Sequence, residues 1–135
     1  IGGVGSQNYI KSVKKRISNK NIQFLGYVED RYRFFNSIEI FVFPSYSEGL
    51  GLVLLEAMSH GVLCITRDVT PMNSIIKNGE NGFLFKDNNE LIEKIEKAIN
   101  LNSSEKDKIV KSALEKIEKS YSIMQMYLSI DKAYN

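Results

Sequence analysis

The chain has 135 residues, 43% of them hydrophobic, enough apolar side chain for one compact domain, which excludes intrinsic disorder. Eighteen Lys and Arg against sixteen Asp and Glu leave a formal net charge of +2, too balanced for binding driven mainly by a nucleic-acid backbone. One Cys and one His exclude a Cys/His zinc site and an internal disulfide and predict a reducing compartment, while no apolar stretch approaches the roughly 20 residues that span a bilayer.

In chain order, Ile1-Gly2-Gly3-Val4-Gly5-Ser6 reads as the end of a strand entering a glycine turn, as if the chain began mid-element. Ile10, Val13 and Ile17 at i, i+3 and i+7 predict an amphipathic helix from Gln7 to Ser18, with Lys11, Lys14, Lys15 and Arg16 on its other faces. Those cations are read as a solvated face, with attraction to an acidic membrane as the second reading. A short strand is expected at Ile22–Gly26 and a brief helix at Arg31–Asn36. The β-branched and aromatic run Ile38–Pro44 predicts a buried strand. After the polar turn Ser45-Tyr46-Ser47-Glu48-Gly49, the helix formers Leu52–Ser59 predict a helix stopped by Gly61. A strand at Val62–Thr66, a short helix at Met72–Lys77 and a strand at Gly82–Phe85 follow. Capping boxes are expected at Asp87/Glu90, Ser104/Asp107 and Ser122/Gln125. Behind them run the apolar rows Leu91/Ile95/Ala98, Ile109/Ala113/Ile117 and Met126/Ile130/Ala133. Strands alternating with helices predict a Rossmann-like, doubly wound parallel α/β sheet with helices on both faces, whose ligands bind beyond the carboxyl ends of the strands.

The informative stretch runs from Pro44 to Met58. Two glycines, Gly49 and Gly51, at the start of a helix make a natural anion site, because orphan amides and the helix dipole both favour negative charge. Glu48 stands just before it, either as a functional carboxylate or as an ordinary acidic residue near a helix N-terminus. Glu56 interrupts an apolar helix face and is expected to accept hydrogen bonds, from a ligand or from the protein itself. The two carboxylates stand eight positions apart, at most roughly 12 Å if wholly helical. Two groups strung along one loop and helix do not suit the opposed carboxylates of a glycosidase. Contact with two separated polyhydroxyl groups suits them better, such as a sugar and a ribose joined by a diphosphate.

The stretch from Glu48 to Glu56 resembles the E-x7-E segment of family 4 retaining glycosyltransferases of the GT-B fold. Further matches follow in family order: Gly2-Gly3-Val4-Gly5, Asn21–Val28, Glu56-Ala57-Met58-Ser59-His60-Gly61, and Asn78-Gly79-Glu80-Asn81-Gly82-Phe83-Leu84. Five weak motifs in one order make a strong match. The resemblance implies a C-terminal donor-binding domain spanning 1–135, lacking its first strand, that takes a nucleotide diphosphate-sugar. Glu48 would hold hydroxyls of the donor sugar near the reacting carbon. Ser47 and the Gly49, Leu50, Gly51 and Leu52 amides would bind the sugar and diphosphate, and Glu56 the ribose. Gly3 and Gly5 would let the backbone approach the donor, and Tyr27 and Val28 would border the base.

The same resemblance implies transfer of a hexose-type sugar in cell-surface glycan or glycolipid synthesis, with no metal and no cofactor. It implies an acceptor held by a separate N-terminal domain, no nucleic-acid partner, and a cytoplasmic enzyme with peripheral contact to the inner membrane face. The phosphate-gripping Arg and Lys of the family would precede Ile1, so the chain alone is expected to be inactive. Ser6, Leu63, Thr70-Pro71 and Ser74 depart from the family pattern. Two other classes compete: a non-catalytic nucleotide-binding domain, and a dinucleotide-dependent oxidoreductase. The oxidoreductase needs a third glycine and an acidic residue about 20 positions on, where Leu25-Gly26 stands instead.

Overall fold

The computed structural model describes residues 7–17, 21–49 and 51–121. The chain divides into two compact units, residues 1–34 and 35–135. In the first, helix α1 (Gln7–Arg16) ends on Lys14, Lys15 and Arg16, cations that favour the negative end of the helix dipole. Val13 and Ile17 are half-buried and Lys11, Lys14, Lys15 and Arg16 exposed, as the periodicity requires. The Lys14 ammonium lies 5.2 Å from the centre of the Phe24 ring. The strand expected at Ile22–Gly26 is not formed, and only Gly26 is bridged. β-favouring residues become a strand only where a neighbour supplies a ladder, and Gly26, at φ 70°, turns the chain instead. Asp30 then caps helix α2 (Arg31–Asn36), its Oδ1 accepting from Arg33 N at 2.9 Å.

In the second unit, β1 (Ile40–Phe43), α3 (Leu52–Ser59), β2 (Leu63–Arg67), α4 (Met72–Ile75), β3 (Phe83–Phe85), α5 (Asn88–Asn100) and α6 (Ser103–Tyr121) alternate along the chain. The strands pair in the order β1-β2-β3, all parallel. Ile40 stands opposite Leu63, and Ile65 opposite Phe83. Along each strand, alternation sends successive side chains to opposite faces. Leu63, Ile65, Phe83 and Phe85 pack with Ala98 of α5 and Ile109 of α6, joined by Ile40, Val42, Leu91 and Ile95. On the other face Phe41 meets Phe35 of α2 edge to face, ring centres 5.5 Å apart. The expected α/β architecture is present, with helices against both faces. β1 departs from expectation in being half-buried throughout, because among the described residues it is an edge strand, paired with β2 alone.

Asp87 caps α5, accepting from Asn89 N and Glu90 N at 2.8 and 3.0 Å. Glu90 returns the bond to Lys86 N rather than to Asp87 N. The box expected at Ser104/Asp107 forms at Asn102/Glu105, where each side chain accepts from the other's amide at 3.0 Å. Asn caps as well as Ser, and Glu has the reach that Asp lacks. Ser122/Gln125 and the row Met126/Ile130/Ala133 lie outside the described residues. No helix among the described residues is long and apolar enough to cross a membrane.

Cys64, in the middle of β2, is 1% exposed, and burial pushes its thiol up from 9.0 to about 12. A raised thiol pKa stabilises the fold below 9.0, and that contribution disappears as pH climbs towards 12. Ellman's reagent at pH 8 is therefore expected to leave the native protein unlabelled and to titrate one thiol per chain in denaturant. Rapid native labelling would contradict the burial.

Candidate functional site

Three parallel strands bring their carboxyl ends to one edge, and the loop leaving β1 there together with helix α3 carries most of the expected site residues. Ser47, Glu48 and Gly49 are exposed. Ser45 Oγ donates to Glu48 Oε1 at 2.7 Å and lies 3.2 Å from the Ser47 carbonyl oxygen, so one hydroxyl ties the carboxylate back onto its own loop. Gly51 follows as the N-cap of α3 with φ 63° and ψ 34°, a left-handed conformation that side chains avoid. A Cβ there would stand 3.4 Å from Ile75 Cδ1 and 3.9 Å from Pro71 Cγ. No side chain caps α3, and its first turn holds no acidic residue. That leaves early amides and the positive end of the helix dipole for an anion.

Along α3 the fully buried stripe is Leu54, Ala57 and Met58, whereas Leu52 is 68% exposed and Ser59 exposed. Glu56 belongs with Leu52 and Ser59 at i, i+4 and i+7 and is half-buried. This corrects the expectation of a carboxylate interrupting the apolar face: eight residues make only two turns, and Glu56 falls on the open side of them. It stands about 6 Å along the axis from the helix start. At the other end His60 caps α3, its amide donating to the Glu56 and Ala57 carbonyls and its Nδ1 2.9 Å from Glu56 O.

The loop after β2 closes a second side of the edge. Asn73 Nδ2 donates to Asp68 Oδ1 at 3.1 Å, and Ser74 Oγ to Pro71 O. Tyr27 and Val28 belong to the first unit, Tyr27 being 74% exposed and Val28 half-buried. Gly3, Gly5 and Leu50 lie outside the described residues. Hollows bordered by Asn73, Ile76, Glu80 and Lys116, and by Phe83, Lys97 and Ile109, include neither Glu48 nor Glu56.

Sequence reasoning passed over Ser45, Tyr46 and Arg67. Arg67 ends β2 and is only 8% exposed. Its guanidinium carbon lies 3.8 Å from the Tyr46 ring centre and 4.9 Å from that of Phe85, and Nη1 donates to Lys86 O at 2.8 Å. The available signal was a cation closing an otherwise apolar strand, Val62-Leu63-Cys64-Ile65-Thr66-Arg67.

The parallel α/β sheet with its helices has the architecture of the GT-B glycosyltransferases, whose solved structures superimpose on it. The chain belongs to the glycosyl transferases group 1 family, whose model matches residues 1–116. The capsular polysaccharide biosynthesis glycosyltransferase CapM of Staphylococcus aureus is 34% identical over 119 residues, 87% of this chain and 31% of that protein. Anabaena HepE, solved with UDP and glucose, superimposes with a TM-score of 0.85 at 21% identity, over 95% of this chain and 36% of that one. The C-terminal domain of the Francisella tularensis group 1 glycosyl transferase LpcC gives a TM-score of 0.77 at 25% identity, over 87% of this chain and 64% of that one. The chain spans about a third of the length of CapM and HepE.

Proposed function

We propose that this chain is the donor-binding half of a family 4 retaining glycosyltransferase, which moves a hexose-type sugar from a nucleotide diphosphate-sugar to an acceptor in cell-surface glycan or glycolipid synthesis. The observation that carries this reading is the uncapped start of α3 behind left-handed Gly51, with Glu48 on the loop before it and Glu56 on its open face. The amides at that helix start stabilise charge on the departing diphosphate, Glu48 orients sugar hydroxyls, and Glu56 takes the ribose. Ser47, Gly49, Leu50 and Leu52 complete the sugar and diphosphate contacts. Gly3 and Gly5 admit the donor, and Tyr27 and Val28 border the base.

The acceptor is assigned to an N-terminal domain of the same enzyme, acting in the cytoplasm with peripheral contact to the membrane. Residues 1–135 serve as one nucleotide-sugar-binding domain that is inactive alone. No metal or cofactor enters the reaction, in keeping with the family resemblance. The capsular role of CapM supports the pathway class, and UDP with glucose in HepE supports the donor class.

Thermal-shift screening of the full-length enzyme against UDP-, GDP- and ADP-sugars and NAD tests the reading. Stabilisation by one nucleotide-sugar is expected; stabilisation by NAD alone would indicate an oxidoreductase. Glu56→Ala is expected to raise the nucleotide dissociation constant about ten- to a hundredfold, the equivalent of one charge-assisted hydrogen bond. Equal constants for both proteins in a calorimetric titration would return Glu56 to a structural role.

A further inference from the structure

Arg67 is a buried cation that the reaction outlined above does not use. It sits at the carboxyl edge of the sheet, where β2 ends. Nε is buried and has no hydrogen-bond partner, and among the described residues no carboxylate forms an ion pair with it. Its guanidinium instead lies over two rings, Tyr46 at 3.8 Å and Phe85 at 4.9 Å, while Nη1 fixes it to Lys86 O. Phe85 is wholly buried, whereas Tyr46 is 76% exposed. Burying a cation without a counter-ion is costly, and stacking on ring faces is one of the few compensations available to a planar guanidinium.

The exposed ring in this stack belongs to the loop that carries Glu48. Among the described residues of the segment 45–49, the only other side-chain bond is that of Ser45, which runs to Ser47 and Glu48 within the same loop. Ser45 can shape the loop but cannot hold it to the sheet. Tyr46 can, because Arg67 is rooted in β2 and clamped to the segment after β3. We propose that Arg67 is a positioning residue that fixes the Ser45–Gly49 loop, and with it the Glu48 carboxylate, by stacking under Tyr46. The functional half of this proposal rests on the donor-site reading of Glu48.

Hydrogen exchange and donor turnover, measured on the same variants of the full-length enzyme, separate the two halves. Arg67→Met and Tyr46→Ala are each expected to speed exchange of the 45–49 amides about tenfold while β2 and α3 amides keep their rates, and Tyr46→Phe, which retains the ring, is expected to keep wild-type exchange. In the full-length enzyme, with UDP-glucose as probe or the nucleotide-sugar found by screening, the first two variants should lower kcat several-fold more than they raise KM, and Tyr46→Phe should restore it. Loop exchange unchanged in Arg67→Met and Tyr46→Ala, or equally raised in Tyr46→Phe, would overturn the clamp. Glu48→Gln provides the separate check, since full turnover in that variant removes the donor reading while leaving the exchange result to decide the clamp.

Discussion

Glu48→Gln in the full-length enzyme is expected to lower sugar transfer by at least about a hundredfold while leaving the unfolding midpoint in place. The size follows from the loss of a preorganised charged group at the reacting carbon. The stability claim follows from geometry: the carboxylate is exposed, and its bond from Ser45 stays within the loop. Steady-state kinetics beside a thermal melt decide the matter. A kcat/KM within a few fold of wild type would remove Glu48 from the reaction.

Gly82→Ala should be the most damaging single-methyl change in the second unit. A Cβ at Gly82 would stand 2.8 Å from Ile76 Cδ1 and 2.9 Å from the Cys64 carbonyl oxygen. The isoleucine can rotate away, but the carbonyl belongs to the backbone of β2 and cannot. Overpacking of this kind costs about 3 kcal/mol at its upper end, or about 10 °C in melting temperature for a domain of this size. Gly79→Ala is the control. Its φ is 79° and nothing lies within 4 Å of the added methyl, so only backbone strain of about 1 kcal/mol is expected. Similar melting temperatures for the two variants would mean that close approach does not govern the turn.

Residue type and spacing were enough where neighbours in sequence decide the structure. Leu52–Ser59 forms the helix its composition predicts, and the two later strands fall within one residue of their expected bounds. At the start of α6 the cap forms two residues before Ser104, at Asn102, because Glu105 has the reach to return the bond. Ile22–Gly26 differs for another reason: strand propensity does not supply a partner, and among the described residues no strand pairs along it. The face of Glu56 was misread because a two-turn helix gives periodicity little to work with. Arg67 and Tyr46 lie 21 residues apart in the chain, and only the parallel pairing of β1 with β2 sets the ends of those strands side by side. No local pattern carries that information.

The order β1-β2-β3 also has a consequence for how the polypeptide is made. Each of these three strands adds beside the one synthesised just before it, so this part of the sheet can be laid down as the ribosome delivers it. The covering layer arrives late, however. Leu63, Ile65, Phe83 and Phe85 are sealed by residues as distant as Ala98 and Ile109. A nascent chain halted near Lys86 would therefore present an apolar sheet face to its surroundings, the kind of surface that chaperones bind and that aggregates when they do not. Translation through α5 and α6 is the interval in which this sheet face is in need of protection.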